Sequence, residues 1–303
     1  MPLTSSVLKL NGLFAKIITI RNSSLKAGMQ YIIPEERKKI VINENIDFTG
    51  NFSKKKVIKK KLIKKPELII FDKDGTLICF HAMWVPWVIG YVERIEKISG
   101  VYLSSTLYGR LGFCIEQRKV IPGLLAEGTM KQIKDTSLNV LMDYGVPNEE
   151  CYKIINKVSK QMDEEQKNSK LIEEITDIRR LFITLKNDNI KIAICTSDSR
   201  KNTIQTLSFL GVKGLINFIS CGDDIGSIPK PDPSNALKIC SHLNISPSNT
   251  IMVGDTLTDL KMAHLANLYG GVGVLSGIGN YSLLRPYSKL LVNDVSQIPL
   301  HYI

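Results

Sequence analysis

Two aspartates stand two residues apart in Phe71-Asp72-Lys73-Asp74-Gly75-Thr76-Leu77. On an extended strand such positions face one side, so both carboxylates would share a face, and Gly75 would have to turn the chain at once. Three other short segments carry compatible groups: Thr196-Ser197-Asp198, Lys230-Pro231, and Gly254-Asp255 followed by Asp259. Several carboxylates drawn together repel, and some would take up protons unless a cation neutralised them. Oxygen-only ligands suit a hard ion such as magnesium (Mg2+), which uses few carboxylates and keeps positions for water and phosphate. A hydroxyl and an ammonium opposite the ion would cradle a phosphoryl group. One aspartate could bind metal and attack while the other stands where a leaving oxygen emerges. That pattern describes phosphoryl transfer through an aspartyl-phosphate.

Such groups must be brought together by the ends of strands, because open α/β sheets present their functional side chains at the carboxyl ends. Apolar runs predict strands at 67–71, 190–195, 214–220, 250–253, 270–274 and 289–292, with helices at about 200–210, 233–243 and 258–268. Thr196, Asp255 and Asp72 each follow one of these runs; Lys230 lies on a loop 25 residues before Asp255. Strand–helix alternation on short connections predicts an α/β fold with a doubly wound, Rossmann-like parallel sheet. Pro86 in the favoured first position predicts a helix running to about Ile98, with Gly100 just past its end. From about 113 to 187 the pattern is helical and contains no convincing strand. This stretch is too long for a crossover and predicts an inserted helical cap. The expected organisation is a basic extension at 1–65, an α/β core at 66–80 and 186–303, and a helical cap at 81–185.

With these residues in place, the chain resembles the haloacid dehalogenase-like hydrolases. FDKDGTL (71–77), ICTSD (194–198), Lys230 and VGDTLTD (253–259) match the four ordered motifs of that superfamily, over roughly residues 67–295. Within it the chain looks most like the phosphoglycolate phosphatase-type members with a helical cap. The resemblance implies that Asp72 is the nucleophile and a magnesium ligand. It implies that Asp74 protonates the leaving alcohol and then activates water, its backbone carbonyl also meeting the metal. Thr196 and the Ser197 amide would hold phosphoryl oxygens, and Lys230 would hold the phosphoryl group and the nucleophile. Asp255 would ligate magnesium, with Asp259 supporting it directly or through water. The expected activity is a magnesium-dependent phosphatase acting on a small, phosphoglycolate-like phosphomonoester. The alternatives are a phosphomutase acting on a sugar phosphate and a non-catalytic phosphate-binding or scaffold protein.

Some positions depart from the family pattern. Lys73 stands where many members have an apolar residue, and either adds charge near the site or points to solvent. In CFHAMWVPW (79–87), Phe80, His81 and Trp84 either line a specificity pocket or, the preferred reading, pack the cap hinge. Trp87 fits the apolar side of the following helix. Asp198 is read as a cap for the next helix in preference to a catalytic group. His242, His264 and His301 have no partners at ligand spacing.

Charge separates the chain into two parts. The sequence carries a formal +11, and residues 1–65 hold 15 basic against 4 acidic side chains, so the remaining 238 residues are balanced. A uniformly basic nucleic-acid-binding domain is thereby excluded for the main body. Residues 1–30 contain Lys9, Lys16, Arg21 and Lys26 but no acid, with Leu10, Leu13, Phe14, Ile17 and Ile18 on one helical face. This is the composition of a mitochondrial transit peptide, the competing reading being a disordered tail in a cytoplasmic protein. KKKVIKKKLIKK (54–65) reads as a solvated linker, with a nuclear signal or anionic-surface tether as the lesser alternatives. Six scattered cysteines without a C-x-x-C pair suggest neither zinc nor disulfides and fit a reducing compartment. No apolar run reaches the roughly 20 residues of a membrane span. The expected partner is a small-molecule phosphomonoester; nothing in the sequence bears on oligomeric state.

Overall fold

A computed structural model describes residues 64–166 and 172–301. Residues 1–63, to which the targeting reading and most of the linker reading apply, lie outside the described residues. The apolar run after Pro66 forms β1 (Leu68–Phe71), every residue of it buried. β4 (Lys191–Cys195), β5 (Phe218–Ser220), β6 (Thr250–Gly254), β7 (Gly270–Val274) and β8 (Leu290–Val292) complete a sheet in the order β5-β4-β1-β6-β7-β8. All of its pairings are parallel. β2 (Phe113–Cys114) and β3 (Lys119–Val120) form a separate antiparallel pair.

Because strand side chains alternate, each strand divides its residues between two apolar layers. Ile69, Phe71, Ile192, Ile194, Ile251 and Val253 belong to one buried cluster. Leu68, Ile70, Ala193, Cys195 and Met252 belong to the other. The second layer is covered by α8 (Ser234–Leu243) and α9 (Leu257–Leu265) through Ala236, Ile239, Met262 and Ala263. The first receives α6 (Ile178–Asn187) and α7 (Arg200–Phe209), which contribute Leu181, Phe182 and Leu207.

The inserted segment is helical: α1 (Phe80–Ser99), α2 (Ser104–Leu111), α3 (Leu124–Glu127), α4 (Met130–Asp143) and α5 (Asn148–Gln166). Its two passages to the sheet are tied together by backbone bonds, Cys79 N–H to the Glu173 carbonyl at 2.8 Å and Ile175 N–H to the Leu77 carbonyl at 3.0 Å.

Four local expectations are corrected. α1 begins six residues before Pro86, which lies inside it. A proline in a helix interior costs about 3 kcal/mol. Phe80, Met83, Trp84, Trp87, Val88, Tyr91, Val92 and Ile95 are all buried on this helix, each worth about 1.5–3 kcal/mol, so packing prevails. The Gly100 stop does hold, at a left-handed φ of 72°. Within 113–187 the short β2–β3 pair interrupts the helices. α6 belongs to the sheet: its Phe182 ring lies 5.3 Å from that of Phe71, so the boundary drawn at 185 cuts a helix that covers β4. Of the run 214–220, Phe218–Ser220 alone is strand, because this edge segment pairs with β4 only from Ala193 to Cys195.

Candidate active site

The sheet register fixes the site. Phe71 pairs with Ile194 on one side and Val253 on the other, so Asp72, Thr196 and Asp255 emerge at nearly one level. The Asp72 amide donates to the Val253 carbonyl at 2.9 Å. Gly75, at φ 81°, then turns the chain, and a Cβ there would collide with the Asp255 carboxylate.

Lys230 connects Asp72 to Asp259. Its ammonium donates to Asp72 Oδ1 at 2.7 Å, to Asp259 Oδ1 at 2.7 Å and to the Cys195 carbonyl at 3.2 Å. Asp259 Oδ2 accepts the Thr256 amide at 3.1 Å, closing a capping box at the start of α9. Asp255 accepts the Ile278 amide at 2.7 Å and the Thr76 hydroxyl at 3.3 Å. Burial raises the Asp72 carboxyl to about 7 against the pull of Lys230, with Asp259 and Asp74 adding to the rise. Burial, Asp72 and Asp259 push Asp255 well above the usual carboxylate range. Burial works to deprotonate Lys230, but Asp259 and Asp72 hold it charged.

Asp72, Asp255 and Asp259 are buried and each offers an oxygen within 4.8 Å of the others. With all three carboxyls ionised, one ammonium would leave two negative charges in excess, and all the donors are oxygens. That donor set fits a hard dication. Asp74, the fourth metal residue expected from sequence, does not bring its side chain to this cluster. Its carboxylate is taken by Lys73 Nζ at 2.8 Å and by the Trp84 indole N–H at 3.0 Å. Its backbone carbonyl, the atom the resemblance implied, is a separate donor.

A small cavity of about 30 Å3 opens over these groups, far below the roughly 300–1,000 Å3 of sites for drug-sized ligands. Asp72, Asp74, Thr196, Ser197 and Lys230 all line it, so the strand ends and one loop bring together the catalytic and substrate-binding candidates. Asp255 and Asp259 lie fully buried beneath. The Thr196 amide donates to the Ser220 carbonyl at 3.0 Å, and its hydroxyl accepts the Asp198 amide at 3.2 Å. The Ser197 hydroxyl donates to the Glu127 carbonyl at 3.2 Å, a direct bond from the sheet end to α3.

The structure decides between alternatives at Lys73 and Trp84 and corrects the reading of Asp198. Of the two readings of Lys73, the structure excludes the solvent-facing one: the side chain adds its charge beside the site, fully buried, 2.8 Å from Asp74 Oδ2 and 3.1 Å from Asp198 Oδ2. Asp198 is not the cap of α7, a place taken by Ser199. It is buried, and burial raises its carboxyl although Lys73 opposes the rise. Trp84 both packs the hinge, against Phe80 and Trp87, and reaches the site through its indole N–H. Phe80 lines the cavity and His81 does not. Glu127 was missed altogether: it enters from α3, and burial and then Asp259 raise its carboxyl. No local signal marks it, since it reaches the cavity only through the packing of α3 over the sheet. Trp87 is buried and stacks on Tyr91. His242 lies 4.6 Å, ring to ring, from Phe218.

Comparison with known proteins agrees with this geometry. The family pattern of haloacid dehalogenase-like hydrolases matches residues 117–269, downstream of the first aspartate pair. A phosphoglycolate phosphatase of Psychrobacter arcticus is 31% identical over 216 residues, spanning 67% of this chain and 80% of that one. A predicted phosphoglycolate phosphatase from Haemophilus somnus superimposes with a TM-score of 0.59 at 18% identity, over 78% of this chain and 98% of that one. A β-phosphoglucomutase from Clostridium difficile does so at 0.54 and 22%, over 77% and 93%. The two structural likenesses establish the fold. The chain belongs to the haloacid dehalogenase-like hydrolases. As an enzyme it is a phosphoric monoester hydrolase. Among the described residues, no helix is long and apolar enough to cross a membrane.

Proposed function

We propose that the chain is a magnesium-dependent phosphatase that hydrolyses a small phosphomonoester through an aspartyl-phosphate on Asp72. The observation that carries this reading is the Asp72 carboxylate, held by Lys230 beside Asp255 and Asp259, facing a cavity with Asp74 on its wall. Asp72, Asp255, Asp259 and the Asp74 carbonyl are the groups that would hold magnesium. When bound, the ion supplies positive charge opposite the phosphoryl oxygens.

The chain's own residues do the rest. An Asp72 carboxylate oxygen attacks phosphorus as the bond from phosphorus to the ester oxygen breaks. Asp74 gives its proton to that oxygen, and the alcohol leaves. Water then attacks the phosphorus of the aspartyl-phosphate, Asp74 takes up the proton it loses, and phosphate departs with the Asp72 carboxylate restored. The Thr196 hydroxyl and the Ser197 amide face the phosphoryl oxygens, and Lys230 keeps Asp72 oriented.

Relatives named phosphoglycolate phosphatase put phosphoglycolate first in a phosphometabolite panel. A mutase would use the same aspartates and return the phosphoryl group to a sugar; release of inorganic phosphate as the product separates the two. The direct test is Asp72→Asn. It should lower turnover of 4-nitrophenyl phosphate by at least about 10³-fold while leaving circular dichroism and melting unchanged. Full activity in that variant would remove Asp72 from the nucleophile's role.

A further inference from the structure

We infer that Lys73 is a positioning residue for Asp74: anchored by Asp198, it holds the Asp74 carboxyl for proton transfer to the leaving oxygen. The inference rests on the proposed role of Asp74 as that proton's donor. Three observations carry it.

The first is the burial of an ammonium without exposure where an apolar side chain would pack at lower cost. Taking a lysine out of water costs several kcal/mol, and a buried ion pair is seldom more stabilising than an apolar replacement. Stability alone therefore gives no reason for the charge at position 73. The second is the shape of the contacts. Lys73 Nζ lies 2.8 Å from each Asp74 oxygen and 3.1 Å from Asp198 Oδ2. Asp198 is itself immobilised, its Oδ1 accepting the Ser199 amide at 2.7 Å and the Asn202 side-chain amide at 3.3 Å at the start of α7. The ammonium is thus fixed from the core side before it meets Asp74. The third is the opposing donor. The Trp84 indole holds Asp74 Oδ1 from α1, and its ring is wedged between Phe80 and Trp87. A carboxyl gripped by a core cation and a cap indole has one orientation, and that orientation faces the cavity. Holding an acid in place before reaction avoids the rearrangement a free side chain would need.

A purely structural Lys73 would only balance the charge of Asp198, and the two roles separate experimentally. Lys73→Met alone leaves Asp198 buried and unpaired and should melt earlier. Lys73→Met combined with Asp198→Asn removes both charges and should regain most of the melting temperature. Kinetics are read as kcat/KM on two probes, phenyl phosphate and 4-nitrophenyl phosphate. The nitrophenol leaves readily as its anion, whereas phenol depends more on the donated proton. For the double variant we expect a loss of about tenfold or more on phenyl phosphate, and a several-fold smaller loss on 4-nitrophenyl phosphate. An equal loss on both probes, or recovery of both along with stability, would overturn the positioning role. Asp74→Asn is the control. If it fails to widen the gap between probes, the assignment of Asp74 falls; if it widens the gap and the double variant does not, the role of Lys73 alone falls.

Discussion

Two buried lysines flank the place where a phosphoryl group would sit, and each is paired with two aspartates. Lys230 bridges Asp72 and Asp259; Lys73 bridges Asp74 and Asp198. The surroundings differ. A third carboxylate, Asp255, stands beside the Lys230 pair, so full ionisation would leave that cluster two negative charges in excess, and burial and mutual repulsion raise its carboxyls. The Lys73 pair gains a neutral donor instead, the Trp84 indole, which comes from α1 rather than from the sheet. One cluster is left short of positive charge by the amount a dication brings. The other is completed by donors from the protein and fixes a geometry.

The difference can be broken most forcefully through the metal. A chelator should reduce turnover of 4-nitrophenyl phosphate to background, with magnesium restoring it and calcium failing to, since the smaller ion demands tighter oxygen geometry. Full activity under chelation would remove the contrast between the clusters. Next in size are stabilities. Lys230→Met and Lys73→Met each leave buried carboxylates uncompensated, at about 3–5 kcal/mol apiece. A drop in melting temperature of about 10 °C would follow for each. Magnesium should recover more of that loss in Lys230→Met, because a cation can stand in for the ammonium only where three carboxylates meet. Equal recovery would show that the two clusters do not differ in their demand for metal. Smallest is Trp84→Phe, which keeps an aromatic ring between Phe80 and Trp87, deletes one hydrogen bond worth about 1 kcal/mol and trims the buried indole. A loss of about fivefold on phenyl phosphate is expected; an unchanged value would mean that Lys73 holds Asp74 without help from the cap.

The residues of the Lys230 cluster were legible because their placement is local to strands. Asp72, Thr196 and Asp255 each follow a short apolar run, and a parallel register brings the ends of such runs to one level. Lys230 and Asp259 lie on the connections that return from those ends. Of the Lys73 cluster, Asp74 was legible, but the pairing of Lys73 with it and with Asp198 was not, although all three sit inside the same motifs. Alternation along a strand points Lys73 away from its neighbours' face, and nothing local says whether that direction is solvent or protein. Asp198 precedes a helix and so resembles a cap, but Ser199 one residue later takes that place and releases it to meet Lys73. Pro86 misled for a related reason. Its helix-starting preference is real and small, and the buried face running from Phe80 to Ile95 outweighs it. Glu127 carries no signal, because its approach to the site depends on how α3 packs across a gap of more than fifty residues from Asp72.

By itself the sequence determined the alternating α/β core, the order of its motifs, and the seven residues that line the cavity or lie beneath it at strand ends and their loops. Those follow from side-chain period, turn glycines and the spacing of like charges, which act over a few residues. Only the tertiary structure decided what closes the site from above and what completes its charge. It buried Lys73 between two aspartates, turned an indole of α1 onto Asp74, and set α6 against the sheet. These are matters of burial and of contact between distant segments, where the cost of an unpaired charge selects one arrangement among many that the local pattern allows.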